Sequence, residues 1–115
     1  MAFNTSLEMT NSGIAKLTLV GELDAGAAPA FRGEIEKAAA QNAKRLVLLT
    51  KDLEYMSSAG LRVLVFAKQK MGTEVDIYVV GARELVMETI RMTGLHHSII
   101  ALDEYDTTQI EAIVV

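Results

Sequence analysis

The sequence contains no cysteine, and only 5% of its 115 residues are aromatic. The lack of cysteine excludes disulfide bonds and cysteine-ligated zinc. Its apolar runs reach about seven residues, far short of the roughly 20 that a membrane-spanning helix needs. The first residues also lack the basic segment and long apolar run of a signal peptide. We therefore expect a cytoplasmic protein that does not enter a membrane.

Basic residues are few and dispersed. The chain has 11 Lys and Arg against 15 Asp and Glu, and Lys44-Arg45 is its one adjacent basic pair. A nucleic-acid binder needs a clustered basic face, and docking on anionic lipid needs the same, so we expect neither partner. Half of the residues are hydrophobic, which predicts one packed domain over residues 1–115.

Segments typical of strands alternate with segments typical of helices. Period-two alternation and short apolar runs predict the strands, and apolar residues one turn apart predict helices over 25–41 and 83–93. Over 58–72 periodicity does not separate strand from helix, and the length, the leading serine and the terminal glycine favour a helix. The predicted strands are 3–9, 14–20, 46–49, 75–80 and 98–102, and the predicted helices are 25–41, 58–72, 83–93 and a last one capped by Asp106. The segment 51–57 reads as a loop. The order ββαβαβαβα predicts an α/β fold, with a mixed sheet of four to five strands and about four helices.

Residues that could carry catalysis are scarce. His96 and His97 are adjacent, no acidic residue completes a metal-binding spacing, and we interpret them as turn residues. Neither a phosphate-binding glycine loop nor a dinucleotide motif occurs. A nucleophilic serine needs a base within reach, and the sequence offers none. We expect no enzyme activity, no metal and no cofactor.

One segment, residues 52–64, places two serines at a loop-to-helix junction directly after a buried strand. Ser58 is predicted to be the N-cap of the following helix, which by itself is a purely structural role. The same position favours an anion, because free N–H groups and the helix dipole point at it. A phosphorylated Ser58 would therefore be tolerated by its own helix.

The stretch Tyr55-Met56-Ser57-Ser58-Ala59-Gly60-Leu61-Arg62-Val63-Leu64, preceded by Gly21-Glu22-Leu23-Asp24, resembles the STAS domain of bacterial anti-sigma factor antagonists. The resemblance implies a phosphorylation switch. The unphosphorylated protein would bind an anti-sigma factor serine kinase of the GHKL ATPase type and so free a sigma factor. Phosphorylation by that kinase would end binding, and a PP2C-type phosphatase would reverse it.

By the same resemblance, Ser58 is the expected phosphorylation site. Ser57 stands where the family often has Asp and is the alternative acceptor, while Asp24 is expected beside the site. The acids Glu22, Asp24, Asp52 and Glu54 are expected to share its rim. The predicted partner-binding residues are Glu22, Asp24, Glu54, Tyr55, Met56, Ser57, Ala59, Gly60, Leu61 and Arg62. Two alternatives stay open, a STAS subunit of a transport or larger signalling complex and a small serine hydrolase.

Overall fold

The computed structural model describes residues 3–111. The strands are β1 Phe3–Met9, β2 Ile14–Leu23, β3 Arg45–Leu49, β4 Leu53–Met56, β5 Asp76–Val80 and β6 Ile100–Leu102. The helices are α1 Ala28–Ala40, α2 Ser58–Met71, α3 Glu84–Met92 and α4 Thr107–Ile110, with a 3₁₀ turn at Leu95–Ser98.

Across residues 3–111, six strands form one mixed sheet in the order β1-β2-β3-β5-β6, with β4 also paired to β2. The β1–β2 pair is an antiparallel hairpin, and all other pairs are parallel. Strand β2 is long enough to pair with two other strands along the same edge. Its first half pairs with β3 and its last residues pair with β4. The end of β2 therefore extends past β3 together with β4.

The larger core lies between one face of the sheet and helices α1, α2 and α3. Leu17 and Leu48 of the sheet pack there with Phe31, Leu64 and Ile90 of the helices. Successive strand residues point to opposite faces, so the intervening residues form a second, smaller cluster on the other face. That cluster consists of Ile14, Val47, Tyr78, Val80 and Ile110.

Helix α4 covers part of this second face. Asp106 caps it, because its Oδ1 accepts hydrogen bonds from the N–H groups of Thr108 and Gln109 at 2.9 and 3.2 Å. The Tyr105 hydroxyl donates to Glu111 Oε2 at 2.7 Å. Desolvation by burial and the Glu111 carboxylate raise the pKa of Tyr105 above its ordinary value. The cap predicted at Asp106 is confirmed.

The α/β class, the mixed sheet and the hairpin are confirmed, but the sheet has six strands rather than four to five. The missed strand is β4, which lies inside the segment predicted to be a loop. Strand β2 also runs to Leu23 instead of ending at Val20, because its extension pairs with β4. Helix α1 begins at Ala28, three residues later than predicted, since Asp24 holds the preceding residues in a turn.

The two histidines lie on the 3₁₀ turn, as turn residues. Their rings stack with centroids 3.9 Å apart, so they do not point to opposite sides as an extended chain would place them. No group of three or more metal-ligating side chains occurs among residues 3–111. None of the helices in that range has the length and apolarity required to cross a bilayer.

Candidate functional site: the start of helix α2

Two parallel strands end side by side where α2 begins. Leu23 at the end of β2 is in register with Met56 at the end of β4. The N–H of Ser57 then donates to the carbonyl of Leu23 at 2.9 Å. This bond fixes where the strand stops and the helix starts. Asp24 and Ser58 each follow directly after one of the two bonded residues.

Ser57, not Ser58, is the N-cap of α2. Its Oγ accepts a hydrogen bond from the N–H of Gly60 at 3.2 Å, and its backbone is extended, as an N-cap requires. The prediction that Ser58 caps the helix is therefore wrong by one residue. The reason is the Leu23 contact, which ends the strand at Met56 and commits the first serine to the cap.

Ser58 is the first residue of α2, and its side chain is exposed. Within residues 3–111, no hydrogen bond is made by its hydroxyl, whereas the Ser57 hydroxyl is occupied and half-buried. The early N–H groups of a helix lack intrahelical acceptors. A free hydroxyl at this position lies next to a partial positive charge that suits an added anion.

Three of the predicted partner-binding residues are buried. Met56 and Leu61 are 2% and 7% exposed and belong to the main core. Gly60 is buried too, and a Cβ placed there would lie 2.7 Å from Leu23 Cγ and 3.2 Å from Met56 Cγ. These residues lie in the interior beneath the site and do not line its surface.

The remaining predicted residues lie at or near the surface. Glu22 of β2 is opposite Tyr55 of β4, and the register shift between Gly21 and Glu22 leaves Glu54 as an extra residue of β4, so that both Glu54 and Tyr55 are exposed. Tyr55 is 43% exposed. Ala59 is half-buried and Arg62 is exposed on the first turns of α2.

The acidic residues do not all lie at this end of β4. Asp24 is adjacent to the helix start, and its Oδ1 accepts from the N–H of Ala27 at 2.9 Å. Asp52 precedes β4, and its carbonyl accepts from Gly21. The extended chain between Asp52 and Ser57 covers about 16 Å, so Asp52 lies at the opposite end of the strand. We define the acidic rim as Glu22, Asp24 and Glu54.

A groove that the sequence did not reveal adjoins the site. It lies between α1 and α2, has a volume of about 360 Å³, and includes Ala59 and Arg62 in its lining. Its α1 side contributes Pro29 and Arg32. Because these residues are about 30 positions away from Ser58 in sequence, only the packing of α1 on α2 brings them together.

The family model for the STAS domain matches residues 9–110 of the chain. Among curated relatives, the anti-sigma-F factor antagonist RsfB of Mycobacterium tuberculosis (strain H37Rv) is 31% identical over 85 residues, which are 74% of this chain and 70% of RsfB.

Solved structures give the same fold. An anti-sigma factor antagonist from Mycobacterium paratuberculosis matches with a TM-score of 0.85 and 26% identity, over 96% of this chain and 95% of that one. Unphosphorylated SpoIIAA matches with a TM-score of 0.73 at 20% identity, over 94% and 96% of the two chains. Phosphorylated SpoIIAA of Bacillus gives 0.71 at 19%, over 94% and 97%. The family match, the RsfB likeness and the shared architecture agree, and the chain belongs to the STAS domain family.

Proposed function

We propose that the chain is a cytoplasmic anti-sigma factor antagonist controlled by phosphorylation of Ser58. Its unphosphorylated form binds an anti-sigma factor that is a GHKL-type serine kinase, and the sigma factor is released. The kinase then phosphorylates Ser58 and the complex separates, until a PP2C-type phosphatase removes the phosphate. The likeness to RsfB and to the M. paratuberculosis antagonist supports the class of function.

The observation that carries the proposal is the difference between the two serines. Ser57 uses its hydroxyl to cap α2, whereas the Ser58 hydroxyl is exposed and makes no hydrogen bond within residues 3–111. Transfer of a phosphoryl group to Ser58 therefore breaks no interaction of the folded chain. Modification of Ser57 would alter the oxygen that accepts from the N–H of Gly60.

The charge change explains why binding would end. A phosphate adds about −1.5 to −2 charges beside Asp24. At an assumed separation of about 6 Å, a dianion and one carboxylate repel by roughly 1.4 kcal/mol in water, and by about 5 kcal/mol at an effective dielectric constant of 20. A partner that excludes water from the site moves the pair from the first condition toward the second. Phosphorylation is thus tolerated in the free protein and unfavourable in the complex.

The test uses the anti-sigma factor kinases encoded in the source genome. Each kinase is titrated with wild type, Ser58→Ala, Ser57→Ala and Ser58→Asp to measure binding. Phosphopeptides of each variant are then mapped after incubation with the kinase and ATP. We expect phosphate on residue 58 in wild type and in Ser57→Ala, none in Ser58→Ala, and binding weakened by at least about tenfold in Ser58→Asp.

Two outcomes would contradict the proposal. Wild-type affinity in Ser58→Asp would exclude a charge switch, and phosphate found on Ser57 would overturn the choice of acceptor. If wild type binds none of the kinases, the alternative of a subunit in a transport or larger signalling complex becomes the better one.

A further inference from the structure

The groove between α1 and α2 combines an apolar base with two arginines at its edge. Val63 and Phe66 of α2 line it together with Pro29 of α1, and Arg32 and Arg62 flank it from the two helices. Val63 is buried and Phe66 half-buried, whereas both arginines and Pro29 are exposed. The result is an open, amphipathic depression that begins at Ala59, next to Ser58.

The two arginines are available for pairing. Neither forms an ion pair or a hydrogen bond with its side chain anywhere in residues 3–111, although other arginines there do, such as Arg91 with Glu84. The guanidinium of Arg32 lies 4.1 Å from the centroid of the Phe66 ring. A stacked guanidinium is held in place while its N–H edge stays free to bind a carboxylate in bidentate fashion.

The local charge differs in sign from that of the whole molecule. The chain carries a formal net charge of −4, yet this groove is edged by two arginines without carboxylate partners in the described part of the chain. Electrostatic complementarity then selects an anionic occupant. The apolar base selects one that also carries apolar side chains.

We propose that this groove binds an acidic amphipathic helix of the protein partner that engages Ser58. This inference rests on the proposed function for the existence of that partner, and extends the contact surface to helix α1. The span from Ala59 to Phe66 is about 10 Å along α2, which matches two turns of a partner helix. Apolar side chains of that helix contact Val63 and Phe66, and its carboxylates pair with Arg32 and Arg62.

The proposal also fixes the orientation of the partner. The acidic rim of Glu22, Asp24 and Glu54 lies on the strand side of Ser58, and the arginines lie on the helix side. A complementary partner must present basic groups to the first and acidic groups to the second. Such a bipolar surface can dock in only one orientation, because the reverse orientation would place charges of the same sign opposite each other.

The first experiment titrates the kinase that binds wild type against Arg32→Glu, Arg62→Glu and the control Lys44→Glu. Lys44 is exposed and precedes β3, so it lies at the amino edge of the parallel strands, away from Ser58. Each groove variant should bind at least about tenfold more weakly, with a loss that shrinks in high salt, and the control should stay within about twofold. Circular dichroism verifies that each variant is folded.

The two proposals fail in different ways. Wild-type affinity in Arg32→Glu, together with lost binding in Ser58→Asp, would overturn the groove and keep the switch. If no kinase binds wild type, the switch fails, and a second measurement decides the groove. A synthetic 14-residue helical peptide with Leu on one face and Glu on the other is added to ¹⁵N-labelled protein.

With this peptide we expect amide shifts confined to the groove, around Ala28, Ala59 and Phe66, that vanish in the Arg32→Glu/Arg62→Glu double variant. Absent shifts, or shifts that persist in the double variant, would overturn the groove proposal regardless of the kinase result.

Discussion

The ten residues from Leu53 to Arg62 include a buried layer and an exposed layer, which have different roles. Leu53, Met56, Gly60 and Leu61 are buried in the main core. Glu54, Tyr55, Ser58 and Arg62 lie on the outside of the same segment and are exposed. The buried layer fixes where the strand ends and the helix begins. The exposed layer can change, by mutation or by phosphorylation, without disturbing that geometry.

The sharpest test of this division compares Gly60, which is tightly packed, with Gly33, which has free space around it. A Cβ at position 60 would lie 2.7 Å from Leu23, whereas a Cβ at position 33 of α1 meets nothing within 4 Å. Gly60→Ala should therefore lower the free energy of unfolding by about 1–3 kcal/mol through overpacking. Gly60→Val should lower it further. Urea denaturation measures both.

Gly33→Ala is the matched control for Gly60→Ala. It should raise the free energy of unfolding by roughly 0.5–1 kcal/mol, because alanine is the better helix former and the added methyl group has space. Equal stability of the two alanine variants would mean that Gly60 does not sit against Leu23, and the buried layer would have to be redrawn.

Substitutions of the two neighbouring serines should change the stability by smaller amounts. The two amounts should differ even though the serines are adjacent in sequence. Ser57→Ala removes the N-cap and should cost about 1 kcal/mol of stability. Ser58→Ala removes a hydroxyl without partners in residues 3–111 and should stay within about 0.5 kcal/mol of wild type. Thermal denaturation by circular dichroism resolves the difference, and a reversed order would assign the cap to Ser58 after all.

An equally small change in stability is expected at Tyr55. This side chain is 43% exposed, so Tyr55→Ala should alter the free energy of unfolding by no more than about 0.5 kcal/mol. Exposed tyrosines are frequent anchors of protein interfaces, so the affinity for the kinase should nevertheless fall at least about tenfold. A variant that unfolds at a clearly lower temperature and binds normally would place Tyr55 in the buried layer.

The sequence was sufficient for the parts of the fold that local patterns encode. Alternation over residues 3–9 marked β1. Length, a leading serine and a terminal glycine marked α2, and apolar residues one turn apart with a terminal glycine marked α3. The fourth strand was missed because its pattern is not period-two. Leu53 and Met56 are buried and the two residues between them both face out, because β4 carries one extra residue, Glu54, opposite Gly21 and Glu22 of β2, which breaks the alternation.

Within the candidate site, the N-cap of α2 was assigned one residue too late. Both serines of the tandem are good N-caps, so the local sequence cannot rank them. What decides is the hydrogen bond from Ser57 to Leu23, which joins residues far apart in sequence. Arg32 was missed for the same reason, because it meets Phe66 only when α1 packs against α2.

The position of Ser58 in the first turn of α2 has a consequence for its proposed phosphorylation. The residues around it are held by an N-cap, two paired strand ends and a glycine pressed against Leu23. A short peptide of the same sequence would lack all of these, so it should be a poor substrate. The kinase would then phosphorylate only correctly folded molecules. Damaged or incompletely synthesised chains would not be phosphorylated and would not respond to the signal.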